Sequence, residues 1–290
     1  MFSWTSISRW LTGAGCAVAM LAAAPAWAQG LNLAAQGSDA PLEIYADQGV
    51  EWEQANKRMI ARGNARAERG TMVLRADMLV AYYSDTGGTT SDIWRLEALG
   101  NVRISSPNET AYGDNAVYDV EKAVLVMRGK GLKMVSSQTT ITARDTLEYW
   151  ELRRQLVARG DARAVKDNRT IDADLLVANF AESGPGKDMV LSTVDAYDNV
   201  VITTPRERAT GNRGTYNAKS NVVTLEGDVQ INRGGDVVNG GFATVDLNAG
   251  RSTLYASKPG EAKAAPTDAA KPQNRVKLIL KPRSNAPTGN

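Results

Sequence analysis

The sequence has no histidine, and its one cysteine, Cys16, lies in an apolar N-terminal stretch. These absences exclude disulfides, His-based catalytic triads and His or Cys metal sites from the mature chain, so neither a metal nor another cofactor is expected. The formal net charge is only +2 in 290 residues, and the basic residues are spread along the chain rather than clustered. Nucleic acid is therefore not an expected partner.

The N-terminus has the pattern of a secretory signal. Arg9 is followed by an apolar run from Leu11 to Ala24, and Ala26-Trp27-Ala28 has the A-x-A form that signal peptidase reads. The run is shorter than the ~20 residues that a transmembrane helix needs. We predict a signal peptide over residues 1–28, cleavage after Ala28 and a periplasmic location, with an uncleaved anchor helix as the alternative.

Two landmarks recur along the chain and reveal internal repeats. The first is a small residue followed by Asp or another polar residue, at Ala46, Ala76, Gly113, Ala143, Ala173, Gly211 and Gly240. The second combines Gly or Asp with Asn, Asp or Lys, at Gly63, Gly100, Gly129, Gly160, Asp198 and Gly227. The spacing within each set is about 30 residues, and a longer period of 97 residues relates Ala61–Ala67 to Ala158–Ala164. The chain therefore contains stacked repeats with an internal duplication.

Within each repeat, apolar and polar residues alternate, as in Val102-Arg103-Ile104-Ser105 and Val229-Gln230-Ile231-Asn232. This period of two predicts half-buried strands and an all-β fold. Gly beside Asn or Asp at the second landmark predicts bends with positive φ. Because a single repeat cannot bury its own apolar face, the repeats must stack as two facing sheets. Open sheet edges at the two ends favour end-to-end pairing of molecules.

Domain boundaries follow from composition. The repeats occupy residues 29–256, and residues 257–274, rich in Ala, Lys and Pro, predict a flexible linker. Alternation resumes from Arg275 to Leu280, which predicts a final edge strand within the segment 275–290.

Three stretches carry a resemblance to a known family: Asn221 to Ile231, Val238 to Gly241 and Ser252 to Ala256. They resemble the OstA-like family of periplasmic lipopolysaccharide-transport proteins. The resemblance implies an antiparallel β-jelly roll, or β-taco, and a non-enzymatic function. It also implies a groove for the acyl chains of lipid A, end-to-end homo-oligomers, and LptC-like inner-membrane and LptD-like outer-membrane partners. The 97-residue duplication makes this chain longer than the family member that it resembles.

The candidate lipid-binding groove is formed by small and branched apolar residues at inward positions. Small residues leave room for a guest, and apolar walls bind alkyl chains at about 0.8 kcal/mol per methylene. The candidates are Ala61, Ala65, Ala67, Val102, Ile104, Ala162, Ala164, Val200, Ile202, Leu225, Val229 and Ile231. An ordinary sandwich core is the alternative for these residues. A carbohydrate-active β-solenoid and a ligand-free structural scaffold are the alternative functions.

Three further recurring sets have weaker functional implications. Arginines at 62, 66, 159 and 163 could meet lipid phosphates at a groove mouth, although solvated outward faces explain them equally well. The aspartates at 47, 77, 114, 145 and 174 are expected to bond to backbone at bends rather than to form a catalytic pair. The aromatic residues Tyr83, Tyr118, Tyr149, Phe180 and Tyr216 predict a row in the core or along one edge. No catalytic residue is predicted.

Overall fold

The computed structural model describes residues 42–84, 92–183, 188–260 and 276–279, which form 18 strands and no helix. The predicted signal peptide and the linker beyond residue 260 lie outside these ranges. The strands are β1 (Glu43–Tyr45), β2 (Val50–Glu53), β3 (Arg58–Arg69), β4 (Met72–Ser84), β5 (Asp92–Ser105), β6 (Glu109–Asp119), β7 (Val124–Arg128), β8 (Lys133–Ser136), β9 (Thr139–Thr142), β10 (Thr146–Trp150), β11 (Gln155–Lys166), β12 (Arg169–Ser183), β13 (Asp188–Thr203), β14 (Arg208–Asn217), β15 (Val222–Arg233), β16 (Asp236–Asp246), β17 (Arg251–Tyr255) and β18 (Lys277–Ile279). In the part of the chain so described, no helix long and apolar enough to cross a membrane is found.

The strands form one sheet in which every described pairing is antiparallel. Consecutive strands are joined by tight turns, such as the two-residue turn between β3 and β4, where Arg69 is opposite Met72. Alternating burial along the strands, as in β4, matches the period-two pattern of the sequence. The prediction of an all-β antiparallel fold is confirmed.

The long strands bend at the second landmark. In the β3–β4 pair the register shifts between Arg62 and Ala65, so that Gly63 and Asn64 lie opposite the single residue Asp77. Both bulge residues have positive φ, 77° at Gly63 and 44° at Asn64. The values at Gly100-Asn101, Gly160-Asp161 and Gly227-Asp228 are nearly the same. The predicted positive-φ bends are confirmed, and together they form a bend line across the sheet.

The bend line divides the sheet into two layers that face each other. The short layer contains β1, β8, β9 and β18, and the long layer contains β2, β7, β10 and β17; each remaining strand contributes a half to both. Residues of both layers, for example Ile104 of the short layer and Leu79 of the long layer, belong to one hydrophobic core. The sheet is therefore folded like a taco, with its apolar side inward.

The 97-residue duplication is visible in the strand pairings. Ile44 pairs with Ala67 in the first repeat as Ile141 pairs with Ala164 in the second, and Val50 pairs with Ala61 as Leu147 pairs with Ala158. Strands β9 and β10 thus occupy the place that β1 and β2 have at the beginning. The second repeat continues the same sheet without a break.

The two ends of the stack differ from its middle in exposure. At the N-terminal end, Val50 and Trp52 are 58% and 61% exposed, whereas Leu147, the equivalent of Val50, is 4% exposed because β7 covers it. At the other end, β17 and β18 pair with β16, and Leu278 is 56% exposed. Both ends are apolar sheet edges.

Candidate functional site: the inner face and its open side

The bend line is built from glycines and side-chain hydrogen bonds between strands. The side-chain amides of Asn64, Asn101 and Asn199 donate to Asp47, Asp77 and Asp174, with N–O distances of 2.7, 2.9 and 2.8 Å. Asn tolerates the left-handed conformation of the bulge, and Gly100, which precedes Asn101, leaves room for Asp77. A Cβ placed on Gly100 would lie 2.2 Å from Oδ2 of Asp77. The repeat motif is thus explained by the bend.

The expected backbone bonding of the recurrent aspartates is largely wrong. Only Asp114 has the expected partner among the described hydrogen bonds, since it accepts from the backbone N–H of Lys130 at 2.8 Å. Asp145 instead pairs with the Arg144 guanidinium at 2.9 Å, and this contact lowers the pKa of Asp145. The asparagine donors belong to neighbouring bends, which explains why the acids recur with the fold. Arg144 lies in the same bend as Asp145 and also donates to Asp161 of the neighbouring bend.

The inner face contains all twelve candidate groove residues. Ten of them are at most 6% exposed, and Ala164 and Ile202 are partly buried against the same core. The layers are in contact here, because a Cβ on Gly214 of the long layer would lie 3.2 Å from Val200 of the short layer. A guest in the groove would have to separate the layers and replace these apolar contacts by its own.

The recurrent aromatic residues form a row on the inner side of the long layer. Tyr118 is a member of the core, and Tyr149, Phe180 and Tyr216 pack against it. Tyr83 is 4% exposed and accepts a hydrogen bond from the indole of Trp52 at 2.6 Å. The predicted packing role is confirmed for these side chains.

The arginines that sequence reasoning offered as mouth residues lie on outward faces. Arg159 and Arg163 pair with Glu148 at 2.7 Å and Asp172 at 2.5 Å. Arg62 pairs with Glu51 at 3.6 Å, and Arg66 pairs with Glu68. Each alternates with an inward alanine, so strand geometry directs it away from the groove. The suggestion that they lie at the mouth is therefore wrong.

The open side of the taco, opposite the bend line, has polar inner residues that the sequence analysis missed. They end the short-layer strands, continue the inward parity of the apolar residues and are all polar except Met72. We call this set the short-layer rim: Arg69, Met72, Ser106, Glu109, Ser136, Thr139, Lys166, Arg169, Thr204, Glu207, Arg233 and Asp236. The inward position of these residues could have been predicted from the sequence, because Lys166 lies two residues beyond the inward Ala164. The rim faces the aromatic row of the long layer.

At the C-terminal end of the open side, a hydrogen-bonded cluster joins the two layers. Glu207 of the short layer accepts from the Ser252 hydroxyl of the long layer at 3.0 Å. Arg233 donates to Glu207 at 2.5 Å and to Ser252 at 3.4 Å. The Glu207 side chain is only 8% exposed, and its charge is thereby compensated.

In the middle of the open side, two glutamates lie near two tyrosines. The Tyr118 hydroxyl donates to Glu151 at 3.1 Å. Burial, together with the charges of Glu151 and Glu109, raises the pKa of Tyr149 to about 12. Burial also raises the pKa of both Glu109 and Glu151, although the Tyr118 hydrogen bond opposes the shift of Glu151. Glu109 of the short layer thus faces the long layer across the open side.

The Glu109→Gln variant should be more stable than the wild type at about pH 7.5 and nearly unchanged at about pH 4. A carboxyl whose pKa is raised by folding favours the folded state only when protonated, so its contribution is lost as the pH rises through the folded-state pKa. Urea unfolding at both pH values measures the difference. The exposed Glu121→Gln is the control. A Glu109→Gln protein that loses stability at neutral pH would contradict the assignment.

In residues 42–84, 92–183, 188–260 and 276–279, no group of three His, Cys, Asp or Glu side chains could hold a metal ion. Burial raises the pKa of both Glu109 and Glu151, so these carboxyls do not show the opposite shifts that are typical of the acid–base pair of a glycoside hydrolase.

The fold and this face define a β-jelly-roll repeat protein, folded as a β-taco around one continuous apolar surface. The chain belongs to the family of LptA/(LptD N-terminal domain) LPS transport proteins, whose model matches residues 43–145 and again residues 140–251. It is therefore an LPS transport protein with two family domains in tandem. The shared residues 140–145 include most of β9, which occupies the place of β1 in the second repeat.

Two individual proteins are also similar to this chain. An uncharacterized protein of Rhizobium meliloti (strain 1021) is 30% identical over 140 residues, which are 46% of this chain and 73% of that protein. LptH, the LptA homologous periplasmic component of the conserved lipopolysaccharide transport device from Pseudomonas aeruginosa, matches with 11% identity and a TM-score of 0.22. That match covers 84% of this chain and 96% of LptH.

Proposed function

We propose that this protein carries lipopolysaccharide by holding lipid A acyl chains between its two layers, without catalysing a reaction. The observation that carries the proposal is an inner face that is apolar along the whole stack, from Ala61 to Ile231. Membership of the LPS transport family supplies the substrate class. The twelve inward residues named from the sequence are the proposed groove.

The open side supports a groove that opens there. Along the bend line the two layers are joined by continuous strands, whereas on the open side the described contacts between them are side-chain contacts, such as the Glu207–Ser252 hydrogen bond. Separating the layers at the rims exposes apolar surface, and acyl chains cover it again at about 0.8 kcal/mol per methylene. Exchanging one apolar contact for another costs little, so lipid can enter without unfolding the sheet.

We further propose that the mature chain begins after Ala28 in the periplasm and stacks end to end as a homo-oligomer. Such a stack would connect an LptC-like inner-membrane protein to an LptD-like outer-membrane protein. The exposed apolar edges at β1–β2 and β17–β18 support this arrangement, as does the family. Residues 29–256 then act as the repeat domain, 257–274 as a linker and 275–290 as the segment that supplies the last edge strand.

Photo-crosslinking tests the groove directly. A crosslinking amino acid at Ala65, Val102, Ile202 or Val229 should capture lipopolysaccharide, because these side chains face the space between the layers. The exposed neighbours Arg103 and Gln230 point outward and should capture little. Mass spectrometry of the adducts measures the difference. Equal capture at inward and outward positions would contradict the groove, and an absence of inward adducts would favour a ligand-free scaffold.

A further inference from the structure

The short-layer rim carries a pair of cations at the junction of β11 and β12. Lys166 and Arg169 are cross-strand partners on either side of the turn formed by Asp167 and Asn168. Asp167 has a φ of 52°, which suits a two-residue hairpin turn. Both cations are exposed. The described part of the chain offers no ion-pair partner for either within 4 Å, whereas the outward Arg159 and Arg163 are paired.

The same two strands continue directly into the proposed groove. Ala162 and Ala164 precede Lys166 at inward positions of β11, and Ile171 and Ala173 follow Arg169 at inward positions of β12. Two residues of a strand advance about 7 Å. A ligand whose acyl chains contact Ala162 and Ala164 would thus have its polar end about 7 to 14 Å further on, beside the two cations.

A buried hydroxyl beside this pair has no hydrogen-bond partner. Thr139 of β9 lies opposite Lys166 in the ladder and is 9% exposed, and its Oγ1 has no partner among the described residues. Thr139 has the inward parity of Ile141, which belongs to the core. A buried hydroxyl needs a hydrogen-bond partner, so this one is available to bond a ligand that the two cations hold.

The charged and aromatic groups around Lys166 and Arg169 determine the electrostatics of this site. Burial raises the pKa of Tyr216 in the long layer, and the positive charge of Arg169 opposes that shift, which places Arg169 near the aromatic row. The nearest rim carboxylates, Glu109 and Glu207, are each two strands away from the site, about 10 Å, and Glu207 is held by Arg233 and Ser252. The turn residue Asp167 is exposed to solvent.

We propose that Lys166, Arg169 and Thr139 bind a phosphate group of an amphiphile whose acyl chains lie in the groove. The inference rests on the proposed function and names where the head group is held. Arg supplies a planar pair of donors for a phosphate, Lys supplies a compact charge, and the Thr hydroxyl supplies a further donor. The aromatic row faces the same position and offers a surface for the sugar to which the phosphate is attached.

Charge reversal tests the site. The Lys166→Glu/Arg169→Glu double variant of the full mature chain should bind phosphorylated lipid A at least tenfold more weakly and dephosphorylated lipid A as tightly as the wild type does. Thr139→Val should give a smaller loss, also confined to the phosphorylated lipid. The matched control is Arg75→Glu/Arg103→Glu, an exposed cross-strand pair on the outward face, which should leave both affinities unchanged. Calorimetric titration with each lipid measures all four proteins.

The outcomes separate this site from the groove itself. A wild type that binds neither lipid would overturn the proposed function, while binding of both lipids with equal losses in both double variants would overturn only the phosphate site. Titration with inorganic phosphate alone distinguishes a free anion from a head group. Saturable inorganic phosphate binding, with no preference of the wild type for phosphorylated lipid, would overturn the head-group assignment.

Discussion

A single charge at either end of the stack should strongly weaken end-to-end association. Val50→Glu at the N-terminal end and Leu278→Glu at the C-terminal end each place a carboxylate on an apolar position that is more than half exposed in the single chain. The duplication shows the effect of stacking on such a position, because Leu147, the equivalent of Val50, becomes 4% exposed beneath β7. Burying an unpaired carboxylate there is strongly unfavourable, so we expect association to weaken at least 100-fold, or about 3 kcal/mol.

The two ends differ, and mixing the variants tests that difference. A Val50→Glu molecule keeps its β17–β18 end, and a Leu278→Glu molecule keeps its β1–β2 end. An equimolar mixture should form dimers and nothing longer, since only one intact junction can be made. Light scattering after size-exclusion chromatography distinguishes monomers, dimers and longer stacks. Leu152→Glu, at a 79% exposed position in the middle of the stack, is the control.

Long stacks in either single variant would exclude the β edges as the interface. Monomers in the mixture would indicate that the two ends do not join each other. Circular dichroism of each variant shows whether the fold is intact. This matters for the N-terminal end, where Trp52 of the same strand donates to Tyr83 at 2.6 Å.

The Gly100→Val variant should lose about 2–4 kcal/mol of stability. Gly100 has a φ of +77°, which a β-branched residue strongly disfavours, and its Cβ would lie 2.2 Å from Asp77. Gly70 is the matched control, because its φ is +59° but nothing lies within 4 Å of a Cβ there. Gly70→Val should lose only the conformational part, about 1–2 kcal/mol. Urea unfolding measures both values.

A double-mutant cycle with Asp77→Ala separates crowding from conformation. Truncating Asp77 makes room for the new side chain but removes the acceptor of the Asn101 amide. The Asp77→Ala/Gly100→Val protein should therefore be more stable than the sum of the two single losses predicts. Additive losses would show that the glycine is required for its backbone conformation alone.

Sequence patterns were sufficient for the fold because each depends on local chemistry. The alternation around Val102 and Val229 needs only the pleat of a strand, and the Gly-Asn pairs need only a positive φ. Both are fixed by neighbours in the chain, so the bends at Gly63, Gly100 and Gly160 were readable before any contact was known. The inward positions of the twelve groove residues follow from the same parity.

The partners of charged residues were not readable in this way. The sequence pattern predicted backbone N–H donors for the aspartates, but Asp77 accepts from the side-chain amide of Asn101, a residue 24 positions away that strand pairing brings alongside. It also offered Arg159 as a mouth residue, and the structure places this side chain outward beside Glu148. Lys166 and Arg169 passed unnoticed because their importance depends on the long layer that faces them.

The sequence by itself determined the repeats, the bends, the inward apolar faces and the family, since all of these are written in the order of neighbouring residues. Only the tertiary structure decided which strand halves face each other, where the sheet opens and which ends remain exposed. The physical reason is that a bend in one strand does not specify the opposite layer. Packing of the whole sheet brings Glu109 opposite Tyr149 and leaves Thr139, Lys166 and Arg169 together at the rim.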